Sequence, residues 1–290
     1  MELSSQTLQW CKKNQIHILQ PHQFPPLLQQ IHSPPAVLFV KGNLKLLNQP
    51  LLAVVGARKA SAYGLASAFR MSRKLALDGI GIVSGLARGV DSASHRGALH
   101  GKGATVAVMG AGFETLYPPE NRELAYQILA RGGAWVTEYL PGIPPLPQNF
   151  PQRNRIISAL SLGTLVVEAR RQSGSLITAL TSLDQGREVF VLPGPAHHVG
   201  FEGGHQLIQQ GAKCIVSAGD IYEELGMAPK DCVDELQAKL PFSFGEEFTL
   251  SQWIRLFGKK SERLLQERIS GGDIIIQAPQ RYICTSGFHF

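Results

Sequence analysis

From residue 51 onward, short runs of apolar, often β-branched residues alternate with longer stretches whose apolar positions recur every three or four residues. The runs cover 51–55, 81–84, 104–109, 134–137, 164–168, 188–192 and 214–217. They are apolar at consecutive positions, as strands buried on both faces are. Between them, 63–77, 92–99, 120–130, 154–160, 176–185 and 204–210 carry helical spacing. This alternation predicts an α/β fold, a Rossmann-like, doubly wound and mostly parallel sheet. The longest interruption, 140–152, holds Pro141, Pro144, Pro145, Pro147 and Pro151. It is predicted to be a stiff, extended loop.

The two ends differ from this middle. Residues 1–45 are irregular and proline-rich, with a short helix predicted at 8–13 and a short strand at 37–40. After Gly226 the alternation stops. Helices are predicted at 231–239, at 249–256 with Thr249 as its cap, and at 261–269 between Ser261 and Gly271-Gly272. Segments 273–277 and 281–285 then flank a short turn, as a hairpin does. Three helices followed by a hairpin is the order of a winged helix. The expected division is a short N-terminal segment (1–45), a Rossmann-like domain (46–226) and a winged-helix-like domain (231–290).

Composition narrows the class. The chain has 290 residues, 44% hydrophobic and 17% charged, which supplies a sizeable core and excludes bulk disorder. No apolar run approaches the roughly 20 residues that span a bilayer, and the first residues lack the pattern of a signal peptide. Cys11, Cys214, Cys232 and Cys284 lie far apart, with no CxxC pair. That argues against a zinc ribbon or a disulfide framework and for a reducing, cytoplasmic setting. The net charge of +6 suits a binder of nucleic acid or nucleotide phosphate, as well as many plain enzymes. Residues 227–290 carry 8 basic and 8 acidic side chains, so their charge alone does not make them a DNA-binding module.

Five segments hold the candidate chemistry, each at or just beyond the carboxyl end of a predicted strand. They are Gly56-Ala57-Arg58, Ser84 to Gly89, Gly110-Ala111-Gly112, Gln148 to Arg155, and Ser173-Gly174-Ser175. In open α/β sheets ligands bind at that edge. Glycine lets backbone approach a ligand, and helix N-termini offer free N–H groups to an anion. Arginine brings a forked phosphate donor. Phe150 near Arg153 and Arg155 pairs a ring for a base with cations for its phosphates, the combination used on single strands. Each segment alone also fits an ordinary strand-to-helix turn; five on one edge fit a site.

Other chemistries lack their marks. There is no GxxxxGK(S/T) loop and no GxSxG elbow, and Thr115 stands where a GxGxxG fingerprint beginning at Gly110 wants glycine. His197, His198 and His205 cluster without a nearby cysteine or a spaced carboxylate, which disfavours a metal site. Asp91 and His95 lie one helical turn apart and read as a helix cap and a polar interface histidine. Glu168, at a strand end, is expected to pair with an arginine.

In this order, the segments resemble the DNA-processing protein A family from about residue 24 to residue 225. The stretches that carry the resemblance include Pro34 to Gly42, Val54 to Arg58, Ser84 to Asp91 with His95, and Leu116-Tyr117-Pro118 with Asn121. They continue with Phe150 to Ser158, Ser173 to Thr178, and Gly186 to Phe190. The resemblance implies a non-enzymatic recombination mediator that binds single-stranded DNA, needs no cofactor, forms a homodimer and loads the recombinase RecA during natural transformation. Carried onto this chain, it implies that Arg58 holds phosphate, that Phe150 stacks a base, and that the backbones of Gly56, Ser84, Gly85 and Gly110 line the pocket. Arg153, Asn154, Arg155, Ser173, Gly174 and Ser175 complete it.

The chain departs from the family pattern at three places. Pro119 stands where lysine or arginine is common, with Arg122 one turn on as the candidate substitute. Ala57 stands where threonine or serine is usual. Of the helical domain that often precedes the core, the sequence carries only the last segment, about residues 10–41, either as a short form or with earlier residues missing.

Two other functions compete. One is a nucleotide phosphoribohydrolase, whose PGGxGTxxE mark is missing, because Glu168 falls one residue too late after Gly163-Thr164. The other is a duplex-reading regulator, disfavoured because Arg263 and Arg268 share their helix with Glu262 and Glu267.

Overall fold

The computed structural model describes residues 3–101, 105–228, 247–249, 252, 274–278 and 281–284. Its centre is a nine-stranded sheet. In chain order the strands are β1 (Ile16–Leu19), β2 (Leu38–Gly42), β3 (Leu51–Val55), β4 (Gly81–Ser84), β5 (Thr105–Val108), β6 (Ala134–Thr137), β7 (Gly163–Val166), β8 (Glu188–Val191) and β9 (Lys213–Cys214). Their spatial order is β1-β2-β6-β5-β4-β3-β7-β8-β9. From β6 to β9 every pair is parallel, whereas β2 is antiparallel to both β6 and β1. The fold is the expected mostly parallel α/β sheet, with an antiparallel edge built from the proline-rich N-terminal segment.

Alternation along β3 explains the layers. Leu51, Ala53 and Val55 face one core, and Leu52 and Val54 face the other. The first core is closed by α6 (Asn149–Ala159), α7 (Gly174–Asp184) and α8 (Glu202–Gln209), and Phe24, Leu28 and Ile31 also pack into it. The second is closed by α3 (Ala62–Leu77), α4 (Val90–His100) and α9 (Ala218–Glu224). It is continued by α5 (Arg122–Ala130) and by Cys11 of α1 (Ser5–Lys13). Burying one side chain such as Leu75 contributes about 1.5–3 kcal/mol. Among the described residues no helix is long and apolar enough to cross a membrane.

The chain builds β3 to β6 in one direction and then returns to place β7 on the other side of β3. That reversal opens a crevice outside the carboxyl ends of β3 and β7. Ser61 caps α3, its Oγ accepting from the Gly64 N–H at 3.1 Å. The four-residue helix α2 (Pro26–Gln29), β1 and α9 are absent from the sequence reading.

Two elements differ from expectation near the site. The segment read as a stiff loop up to residue 152 is helical from Asn149, so Phe150, Pro151 and Arg153 lie on α6. Proline is tolerated in a first turn because its missing N–H has no helical partner there. The C-terminal hairpin is present as β11 (Ile274–Ala278) and β12 (Arg281–Cys284). A further strand, β10 (Glu247–Thr249), pairs with β12. The Thr249 Oγ1 accepts from the Gln252 N–H at 3.3 Å. The helices expected at 231–239 and 261–269, and the rest of 249–256, lie outside the described residues.

Candidate nucleic-acid interface

Five strand-to-helix connections, those after β3, β4, β5, β6 and β7, meet at the carboxyl edge. Gly56 has no room for a side chain, since a Cβ there would lie 2.5 Å from Val90 Cγ2. Gly89 adopts φ +74°, and a Cβ there would lie 2.2 Å from the Ala57 carbonyl oxygen. These contacts lock the loops after β3 and β4 together. They leave Arg58 exposed, its guanidinium carbon 5.7 Å from the centre of the Phe150 ring.

Phe150 is half-buried in the first turn of α6. Its ring lies on Gly110, where a Cβ would come within 3.0 Å. Tyr117, 40% exposed, places its ring 5.6 Å away. The result is an open pair of rings with a cation beside it, able to stack planar bases and hold their phosphates. Tyr117 is the functional candidate that the sequence reading left out of the pocket, although its Tyr-Pro motif was in view.

Arg153 is placed differently from expectation. It is 4% exposed, and its Nη1 donates to the Gly85 carbonyl at 2.8 Å and to the Val108 carbonyl. Burial pushes its guanidinium down to about 10, with Asp91 opposing the shift. It remains charged at neutral pH and ties together the ends of β4 and β5 beneath Phe150, 6.0 Å from that ring's centre. Asp91 holds the same loop from the other side, accepting from the Gly85 and Ala87 N–H groups at 3.0 and 3.3 Å. It is thus a loop anchor in the first turn of α4, and the cap position belongs to Gly89. Burial raises its carboxyl, with Arg153 opposing. His95 is a buried interface residue, as read, with Nδ1 2.7 Å from Thr105 Oγ1. Burial first, then Arg153 and Arg96, lower it to about 3.

Other candidates are committed within the fold. Ser84 is fully buried and its Oγ donates to the Val54 carbonyl at 2.6 Å, so its hydroxyl serves the sheet and does not face a ligand. Arg155 donates to Glu138 and is half-buried. Asn154 reaches the Gly174 carbonyl at 3.4 Å, which brings the 173–175 turn up to α6 one turn beyond Phe150. Ser173 and Ser175 sit there with hydroxyls 3.2 Å apart, Ser175 buried. Arg122 is exposed, but its guanidinium lies over Tyr126 at 6.0 Å and not over Phe150. Arg88 is engaged by Glu120 at 2.5 Å.

Glu168 departs from the expected arginine pairing. Its carboxylate accepts from the Ser61 N–H at 2.9 Å and the Ser61 hydroxyl at 2.7 Å. His198 and His205 bond to backbone at Gly200 and Gly194, and no metal-binding group of side chains occurs among the described residues.

The sequence pattern of the DNA recombination-mediator protein A family matches residues 15–226. The chain belongs to that family. Within it, the chain is 45% identical over 221 residues to protein Smf of Escherichia coli, covering 76% of this chain and 59% of that protein. It is 45% identical over 204 residues to DNA processing protein DprA of Bacillus subtilis, covering 70% and 68%. The alignment thus spans about three-fifths of the length of Smf. Among solved structures, DprA from Streptococcus pneumoniae matches with TM-score 0.69 at 40% identity, covering 75% of this chain and 77% of that one. DNA processing protein A from Helicobacter pylori, described for its single-stranded DNA binding mode, matches with TM-score 0.66 at 29% identity, covering 73% and 95%. The recombination-mediator match spans the whole nine-stranded sheet, from β1 to β9, leaves out α1, and so includes every part of the pocket.

Proposed function

We propose that the chain is a recombination mediator that grips single-stranded DNA at the Arg58–Phe150–Tyr117 edge, protects it and loads it with RecA during natural transformation. The observation that carries this is an exposed cation and two open rings on a frame of bonded loops. Family membership supports it, as does the single-strand binding mode named for the H. pylori relative. In this reading Arg58 holds a phosphate and the exposed face of Phe150 stacks a base beside Tyr117. Gly56, Gly85 and Gly110 form the floor of the pocket, letting Val90, Arg153 and Phe150 pack directly on the strand-end backbone. Arg153 and Asp91 are positioning residues, Ser84 belongs to the sheet, and Asn154 and Ser173 to Ser175 form the far wall. Arg122 serves a flanking contact. The chain works as a cytoplasmic homodimer without catalysis, and residues 231–290 form a winged-helix-like accessory domain to the 46–226 core.

The test is an anisotropy titration with labelled oligo-dT and a matching duplex at two salt concentrations. Expected is salt-sensitive, single-strand-selective binding, weakened by Arg58→Ala and by Phe150→Ala, the latter by about 1–3 kcal/mol. Unchanged affinity in both variants would overturn the pocket.

A further inference from the structure

The histidine cluster and Glu168 play no part in the pocket described above, yet the fold gathers them at one place. A cleft of about 500 Å³ opens at the mouths of β3 and β8, lined by Ser61, Tyr63, Pro193, Pro195, His198 and Phe201 among others. Phe201 forms its floor, 2% exposed, seated where Gly194 has no side chain; a Cβ there would lie 2.3 Å from the ring. The Tyr63 ring stands edge-on to Phe201 at 5.8 Å, steadied by a bond from its hydroxyl to the Pro193 carbonyl at 3.1 Å. His198 meets Phe201 at 5.4 Å on another side. Its Nδ1 accepts from the Gly200 N–H at 3.1 Å, so in the neutral ring Nε2 carries the proton and offers a donor. Tyr63 is 38% exposed and His198 is also exposed, so both rings are open to a visitor.

The charges decide what fits. Glu168 lies directly behind Ser61, and its carboxylate opposes any anion drawn to the α3 N-terminus. A phosphate is therefore disfavoured inside, while flat neutral rings are favoured by the aromatic walls. Cations stand outside, with Arg58 and Lys59 exposed on the loop that ends at Ser61, and Arg170 exposed after β7. Ser61 is three residues from Arg58, so the two backbones are at most about 11 Å apart.

We propose that this cleft is a second base-binding subsite for the same DNA strand. A nucleobase stacks on the exposed rings of Tyr63 and His198 above the Phe201 floor, and the phosphates between the two subsites lie along Arg58 and Lys59. The inference rests on the single-strand reading above. It adds that the strand runs along the carboxyl edge from β5 across β3 to β8.

The experiment is an oligo-dT length series titrated against wild type, Tyr63→Ala, His198→Ala and Arg58→Ala, with photocrosslinking of 5-iodouracil oligonucleotides to the wild type. Expected is an affinity gain once the strand is long enough to reach the cleft. Tyr63→Ala and His198→Ala should each lose about fivefold or more of that gain. They should leave the shortest bound oligonucleotide unaffected, and crosslinks should fall within residues 61–63 or 193–201. Wild-type affinity in both variants at every length, with Arg58→Ala still defective, overturns the subsite and leaves the mediator reading intact. Crosslinks confined to Tyr117 and Phe150 do the same. Equal competition by free dTMP for the cleft crosslink also overturns it, pointing to a free nucleotide as the occupant. Absence of single-strand binding by the wild type overturns both readings and is seen before any variant is compared.

Discussion

Arg58 and Arg153 sit within reach of the same phenylalanine ring and have opposite surroundings. Arg58 is exposed, while Arg153 is enclosed and bonded to two strand-end carbonyls. Substituting them should therefore separate binding from stability. Arg58→Ala should weaken single-strand binding and leave the urea midpoint unchanged. Arg153→Met should leave two carbonyls and the Asp91 carboxylate without their buried cation, lowering stability by roughly 2–4 kcal/mol. Chemical denaturation of both variants beside the DNA titration checks the contrast. The sequence made both arginines candidates because residue type and position at a strand end are legible there. Burial was not legible, because charged residues default to the surface and Arg153 is enclosed by segments far away in the chain.

Among the elements, the strands were the most legible. Runs 51–55, 81–84 and 134–137 coincide with β3, β4 and β6 because consecutive apolar residues have no other economical use in a two-sided sheet. The helix start at Asn149 was hidden by Pro147 and Pro151, which punctuate a loop and open a helix equally well. Strand β1 escaped because four residues, one of them His17, are too short a pattern. The packed loops after β3 and β4 carry a prediction at this scale. Gly89→Ala places a Cβ against the Ala57 carbonyl in a left-handed backbone and should cost more than about 1 kcal/mol. Thermal denaturation should show a melting point lower by several degrees, and binding should fall with it because Arg58 rides on the displaced loop.

For the whole molecule, the buried His95 links folding to acidity. Its folded value of about 3 lies below the ordinary 6.5, so between those limits the unfolded chain binds a proton that the native chain refuses. Stability is then lost as pH falls through that window, at up to about 1.4 kcal/mol per unit from this group. Urea midpoints at pH 7 and pH 5 should differ in that direction, and His95→Gln should flatten the difference. The placement of Phe150 has a separate consequence. Its ring is mounted on a helical turn, which is fastened to two strand ends by a buried guanidinium and to Tyr139 through the Asn149 carbonyl at 3.2 Å. The Phe150 turn is thus already anchored before a strand arrives. In the proposed reading, the ordering on association falls on the DNA and on the exposed Arg58 side chain more than on the Phe150 turn. The calorimetric entropy of binding should therefore follow the stiffness of the oligonucleotide, and differences between sequences should appear there first.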